Sequence, residues 1–426
     1  MKRILFKALK KHLDKKEFTI LTGARQTGKS TLLKQLEDDC KQSDIPTVFL
    51  NLENKSILAE LNKSPLALLF FLPEVSRRII VFIDEIQYLD NPSNFLKLLY
   101  DEYASKLKIV ATGSSAFYID NNFKDSLAGR KRVFTLYTCS FDEYLLLRGK
   151  TELLDEVKRL SSQKAAKSAL LAELEVEWSN YIVYGGYPAV VLESDMEDKK
   201  HRLNELKDSF VKRDILESGV KNETAFYLLF RILAGQSGNL LNINELSSTL
   251  RIKAETVENY LFILRKCHHI ALIKPFYRNL RKELTKMPKA YLLDTGLRNC
   301  LLNNFEPLLF RQDKGALWEN MYFRLLLETY PLDELFYWRT SAGNEVDFVV
   351  PNISNPYAVE VKYDQNTIKA SKYKLFKENY PAIPLRYAYM NPFTEELFEG
   401  FPKPVEGCFV PRNNGKAPLN PPNGWR

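Results

Sequence analysis

Over the first ~135 residues, short apolar runs rich in β-formers alternate with segments of helical period. Strands are predicted over 18–22, 47–52, 78–84, 107–112 and 132–136, and helices over 31–39 and 94–104. Such alternation calls for a parallel sheet covered by helices on both faces. The run Ile79-Ile80-Val81-Phe82-Ile83 is apolar at every position, as a central strand of that sheet requires. From about 141 to 234 the strand signals fade and helical patterns dominate, including a charged helix at 151–177. Residues 242–273 read as a winged-helix pattern, with helices 244–250 and 254–266 joined by the turn Arg251-Ile252-Lys253. Thr256, Asn259 and Tyr260 are expected to face outward from the second helix. Strands 270–277 and 289–293 follow, with a basic loop between them. Beyond 315 the order becomes helix (316–329), three strands (335–339, 345–350, 357–362), a Lys-rich helix (368–379) and a strand (385–390). The last twenty residues, rich in Pro, Gly and Asn, read as a loosely held tail. No internal repeat is found.

Composition narrows the class. A length of 426 residues allows several domains. The expected plan is α/β, with domains at 1–140, 141–235, 236–310 and 311–426. Hydrophobic residues at 45% and charged residues at 27% exclude a disordered chain. No apolar run reaches the ~18 residues of a spanning helix, so no membrane role is expected. Lys2, Arg3, Lys7, Lys10 and Lys11 break up any signal-peptide core and leave a basic amphipathic helix. Cys40, Cys139, Cys267, Cys300 and Cys408 are odd in number and far apart, which suits a reducing, cytoplasmic setting. Net charge is +8, yet residues 251–289 alone hold ten basic and three acidic residues. A helix in the major groove with basic side chains on phosphates would make duplex DNA a partner, with Arg251, Lys253, Arg278, Arg281 and Lys282 as candidates. A protein-docking winged helix and a solvated basic face are the competing readings. Cys267-His268-His269 reads as core packing, since no further metal ligand lies nearby.

Chemistry concentrates first at Gly23-Ala24-Arg25-Gln26-Thr27-Gly28-Lys29-Ser30, which matches G-x-x-x-x-G-K-[ST] between an apolar strand and an amphipathic helix. The glycines let backbone amides turn toward phosphate oxygens, and the helix start adds partial positive charge. Gly23 through Thr31 are therefore candidate ATP contacts, with Lys29 on the β- and γ-phosphates and the Ser30 hydroxyl on Mg²⁺. The strand at 79–83 ends in Asp84-Glu85. Asp84 is the second Mg²⁺ candidate and Glu85 the general base that polarises the attacking water. The next strand ends in Thr112-Gly113-Ser114-Ser115, where a polar group such as Ser114 could sense the γ-phosphate or orient the water, with a helix N-cap the competing reading for Ser114 or Ser115. Arg130 reads either as an arginine finger reaching a neighbour's nucleotide in a homo-oligomer or as part of a solvated basic turn.

These segments, with Leu127-Ala128-Gly129-Arg130, Phe141-Asp142-Glu143-Tyr144, Tyr184-Gly185-Gly186-Tyr187-Pro188 and Lys212-Arg213-Asp214-Ile215, occur in an order that resembles a large prokaryotic family of AAA-type ATPases. The C-terminal half of that family is a domain of unknown function, and the family lies close to the archaeal-type and signal-transduction ATPases. The resemblance reaches about residue 365. It implies a P-loop NTPase sheet, a helical lid, ATP and Mg²⁺ as cofactors, and ATP binding as the shared activity. Ser30 departs from the commoner Thr, though either hydroxyl binds Mg²⁺.

A second constellation follows. Asp347 lies in Glu345-Val346-Asp347, and Glu360 and Lys362 share one face of a strand that a turn at 351–356 folds back beside it. Glu319 on the preceding helix could join them. This order resembles the restriction-endonuclease-like fold with its D…E-x-K signature. There the acids hold Mg²⁺, the metal activates water, and the lysine steadies charge on the phosphate. Three functions follow: an ATPase switch acting on DNA or a protein partner, an ATP-licensed metal-dependent nuclease, and a non-catalytic nucleotide-binding regulator. Glu85 argues against the third.

Overall fold

Strands apolar at every position need cover on both faces, and the central strands receive it. The computed structural model describes residues 2–113, 127–162, 168–277, 287–352, 356–364 and 367–389. The described residues divide into two compact units, 2–136 and 137–389.

In the first unit, β1 (Phe18–Thr22), β2 (Thr47–Asn51), β3 (Ile79–Asp84), β4 (Leu107–Gly113) and β5 (Lys131–Thr135) form one sheet in the order β2-β3-β4-β1-β5. Every neighbouring pair is parallel. Alternate residues of β3 serve opposite cores. Ile79, Val81 and Ile83 pack with Phe95, Leu96 and Leu99 of the helix Pro92–Tyr103. Ile80 and Phe82 pack with α1 (Leu5–His12) and α2 (Lys29–Gln42) through Phe6, Leu9, Leu32, Leu33 and Leu36. Because the strands are parallel, the ends of β1, β3 and β4 lie along one edge of the sheet, where ligands of open α/β sheets bind.

The second unit begins with helices and ends in a six-stranded mixed sheet. Its strands are β6 (Ile270–Pro275), β7 (Lys289–Leu292), β8 (Phe336–Arg339), β9 (Glu345–Val350), β10 (Tyr357–Lys362) and β11 (Leu385–Tyr389), in the order β11-β10-β9-β8-β6-β7. One face packs on the helix Lys314–Thr329 and an aromatic cluster of Phe141, Tyr144, Trp178 and Tyr181; the other lies under the helix Lys374–Asn379 through Phe376 and Tyr380.

Four expectations need correction. The charged helix expected at 151–177 is two helices, Thr151–Ser162 and Leu171–Tyr184. Tyr260 does not face outward: it is 3% exposed and lies edge-on to Phe226. The Lys-rich helix begins as one 3₁₀ turn, Ala370–Tyr373, and is α-helical only from Lys374. The hairpin of the winged-helix pattern is not self-contained. β6 pairs antiparallel with β7 and parallel with β8, so strands from both sides of position 310 share one sheet. The helices of that pattern, Ile243–Leu250 and Ala254–Lys266, do form as expected, with Asn242 capping the first. The expected wing residues Arg278, Arg281 and Lys282, Ser114, and the C-terminal tail lie outside the described residues.

Candidate nucleotide site

The loop after β1 runs hard against the end of β5. A Cβ on Gly23 would sit 2.1 Å from the Leu136 carbonyl oxygen, at a φ of +148° that L residues rarely adopt. Gly28, at φ +93°, then turns the chain into α2, whose N-terminus no side chain caps. Its first amides, together with those of the loop, remain for an anion. The Thr27 hydroxyl ties the loop to itself by donating to the Ala24 carbonyl at 2.9 Å. From outside the motif, Arg3 Nη1 donates to the Thr27 carbonyl at 2.7 Å. Arg3 lies two positions before α1, and nothing in the sequence signalled this contact.

Lys29 is buried, and its Nζ donates to the carbonyls of Gly23 at 2.9 Å and Ala24 at 2.8 Å. Thr31 and Gln26 face solvent, while Arg25 is largely buried. Burial pushes the Lys29 ammonium down to about 8, against the opposing pull of Glu85 and Asp84. In the nucleotide-free protein its charge is therefore present at pH 7 and lost as pH rises through about 8. Triphosphate affinity is expected to fall above pH 8, approaching roughly tenfold per pH unit as binding takes up one proton. A fluorescent-nucleotide titration from pH 7 to 10 checks this, and a flat profile contradicts it.

β4 lies between β1 and β3 and links their ends. Ser30 Oγ donates to Asp84 Oδ1 at 3.0 Å, and the Thr112 hydroxyl donates to the same oxygen. The Glu85 amide donates to Thr112 Oγ1 at 3.0 Å. Glu85 itself is left-handed (φ 59°, ψ 50°), which swings its carboxyl off the line of β3, and Gln87 Nε2 donates to its Oε2. Thr112 and Gln87 thus join the site as residues whose roles the motif spacing did not assign. The hydroxyl of Ser30 and the carboxylate of Asp84 form a hard-oxygen pair that fits Mg²⁺ held partly through water. Arg130 is not on the loop in its own unit: its Nε and Nη2 bind Asp101 at 2.7 and 3.3 Å.

The C-terminal constellation assembles around a residue its motif does not contain. Asp347, Glu319, Glu360 and Lys362 come together as expected. Lys289, the first residue of β7, enters among them, with Nζ at 2.5 Å from Glu345, 3.1 Å from Glu319 and 3.8 Å from Asp347. The Tyr291 hydroxyl donates to Glu319 at 2.6 Å, and Lys362 donates to Glu360. Burial alone would lower Lys289, but Glu319, Asp347 and Glu345 outweigh it and hold the ammonium charged. Burial raises Glu319 and Glu360 to about 7. Among the described residues no three His, Cys, Asp or Glu side chains are placed to hold one metal ion. Of the expected Mg²⁺ ligands, Glu319 and Asp347 have the Lys289 ammonium between them, whereas Glu360 bonds Lys362. Glu345 was detectable in principle, two residues before Asp347 on the same strand face. Lys289 was not, since it comes from a distant strand.

At the winged-helix pattern, Arg251 and Lys253 are exposed beside the start of the second helix, whose open face carries Glu255, Glu258 and Asn259. Cys267 and His269 are buried, and His269 packs against Phe210 and Phe230, as core residues do. Among the described residues no helix is long and apolar enough to cross a membrane.

Three family models match successive parts of the chain. Residues 15–145 match the model of a family described as an AAA domain. Residues 175–308 and 314–398 match two families described as domains of unknown function (DUF8612 and DUF4143). An uncharacterized protein of Methanocaldococcus jannaschii is 26% identical over 84% of this chain and 78% of its own length. An uncharacterized protein of Haemophilus influenzae is 26% identical over 85% of this chain and 87% of its own. The Holliday junction branch migration motor RuvB of Thermotoga maritima aligns over 63% of this chain and 86% of its own at 14% identity, with a TM-score of 0.29. That likeness is too loose to carry over any property of the motor.

Proposed function

With an AAA-type P-loop ATPase domain at residues 15–145 as the premise, we propose that the protein hydrolyses ATP with Mg²⁺ as a nucleotide-driven switch on duplex DNA. The observation that carries this is the linked set Lys29, Ser30, Asp84, Thr112 and Glu85 at one edge of the sheet. Mg²⁺ held by Ser30 and Asp84 would neutralise charge on the β- and γ-phosphates. Lys29 leaves the carbonyls of Gly23 and Ala24 to meet those phosphates. Glu85 orients the attacking water and takes its proton. Thr112 bonds both the Asp84 carboxylate and the Glu85 amide, so a shift at one acid is felt at the other.

Arg251 and Lys253 favour DNA as the partner, while Glu255 and Glu258 limit how closely the second helix approaches a phosphate backbone. ATP turnover measured with and without duplex DNA tests the proposal. Stimulation is expected, and an indifferent rate points to a protein partner instead. Affinity for duplex is expected to fall steeply with salt, and neutralising Arg251 and Lys253 together should reduce the slope of log K against log salt by about 2. An unchanged slope removes both residues from the DNA contact.

A further inference from the structure

We propose that Lys289 is the resident cation of the C-terminal carboxylate cluster, which closes the cluster to divalent metal and makes this restriction-endonuclease-like arrangement a binding scaffold, not a nuclease. The inference does not depend on the ATPase reading.

Each acid of the cluster already has a partner. Glu319 Oε1 accepts from both Lys289 at 3.1 Å and the Tyr291 hydroxyl at 2.6 Å. Glu345 is bridged by Lys289 at 2.5 Å and by Arg339 at 2.6 Å. Asp347 faces Lys289 with one oxygen, and its other oxygen accepts from the Val361 amide at 2.8 Å. Glu360 accepts from Lys362 with Oε1, while its Oε2 is buried and accepts no hydrogen bond among the described residues. A divalent ion needs oxygens at about 2.0–2.6 Å on several sides. Ligation by both Glu319 and Asp347 would place it almost on the Lys289 ammonium, where like charges repel strongly at short range.

The lysine is also fixed at its base. β7 pairs with β6 in the register Ile273↔Lys289, and Lys289 bridges to Leu240 on its other side. The adjoining carbonyls of Pro288 and Ala290 accept from the Leu241 and Gly238 amides at 2.8 and 2.9 Å. The side chain is 1% exposed and lies over the Tyr337 ring at 5.6 Å. The Glu319 carboxylate, 19% exposed, lies over Gly238, where a Cβ would approach its Oε1 to 2.8 Å.

Mn²⁺ binding to the full chain without nucleotide, followed by electron paramagnetic resonance, tests this in the wild type, Asp347→Asn, Lys289→Ala and the double variant. The P-loop contributes equally to all four, so differences belong to the cluster. The expected result is equal stoichiometry in the wild type and Asp347→Asn, one additional Mn²⁺ per chain in Lys289→Ala, and loss of that ion in the double variant. A wild-type Mn²⁺ that Asp347→Asn abolishes overturns the proposal. So does a folded Lys289→Ala that gains no ion. If Lys289→Ala loses its native circular dichroism, K289A/E345Q, which removes a carboxylate together with the ammonium, replaces it in the comparison under the same criteria. Plasmid nicking in Mg²⁺ or Mn²⁺ that disappears in Asp347→Asn would likewise overturn it.

Discussion

Glu85→Gln is expected to lower ATP turnover by about 10²- to 10⁴-fold while leaving nucleotide affinity within a few-fold of wild type. The amide matches the carboxylate in shape but cannot take a proton from water. Backbone geometry is not at issue, because Gln adopts the left-handed conformation of position 85 no less readily than Glu. The Gln87 contact also survives, since the amide oxygen still accepts from Nε2. The remaining change is electrostatic. Glu85 helps to hold the Lys29 ammonium charged, so its loss lowers that group further. Binding should therefore be compared over a range of pH, since Lys29 gives up its proton at a lower pH in the variant than in the wild type. Single-turnover hydrolysis with a fluorescent-nucleotide titration checks both halves. A variant that hydrolyses at the wild-type rate has its base elsewhere, and one that no longer binds nucleotide shows Glu85 to be structural.

What the sequence revealed follows the range of the interactions. The nucleotide site was legible because its parts are local. A strand, a glycine turn and a helix start are consecutive, and the acids close an apolar strand that declares itself at every position. The left-handed turn at Glu85 and the Thr112 link were hidden, because both depend on how β3 and β4 sit side by side. The helices at 243–250 and 254–266 were legible from period, but not the rotation of the second. Tyr260 lies three positions from buried Val257 on the same helical face, so the 3.6-residue period would have turned it inward. The joining of β6 to β8 across more than sixty residues left no local trace. For the same reason the D…E-x-K spacing identified three members of the acidic cluster but not the lysine at its centre. Motif spacing records neighbours along the chain, whereas Lys289 reaches Glu319, Glu345 and Asp347 only through the shared sheet.

The segment Tyr184-Gly185-Gly186-Tyr187-Pro188 carries the last large expectation, since the structure gives it a structural purpose. Asp294 is 4% exposed and joins two distant segments. Its Oδ2 accepts from the Gly186 amide and its Oδ1 from the Leu297 amide, both at 2.9 Å, the second as the N-cap of the helix Thr295–Leu302. The Gly186 carbonyl accepts in turn from the Cys139 amide at 2.7 Å. No side chain fits at Gly185 or Gly186, where a Cβ would lie 2.2 Å from Asp294 Oδ1 and 2.4 Å from the Cys139 carbonyl oxygen. Asp294→Ala leaves two buried amides without acceptors at about 1–3 kcal/mol each, and should destabilise this unit by about 3–5 kcal/mol. Asp294→Asn keeps one acceptor oxygen and should lose roughly half as much. Urea unfolding followed by tryptophan fluorescence suits the measurement, since Trp178, Trp318 and Trp338 all lie in this unit. An Asp294→Ala midpoint equal to wild type would mean that the Gly-Gly segment is held by something other than this carboxylate.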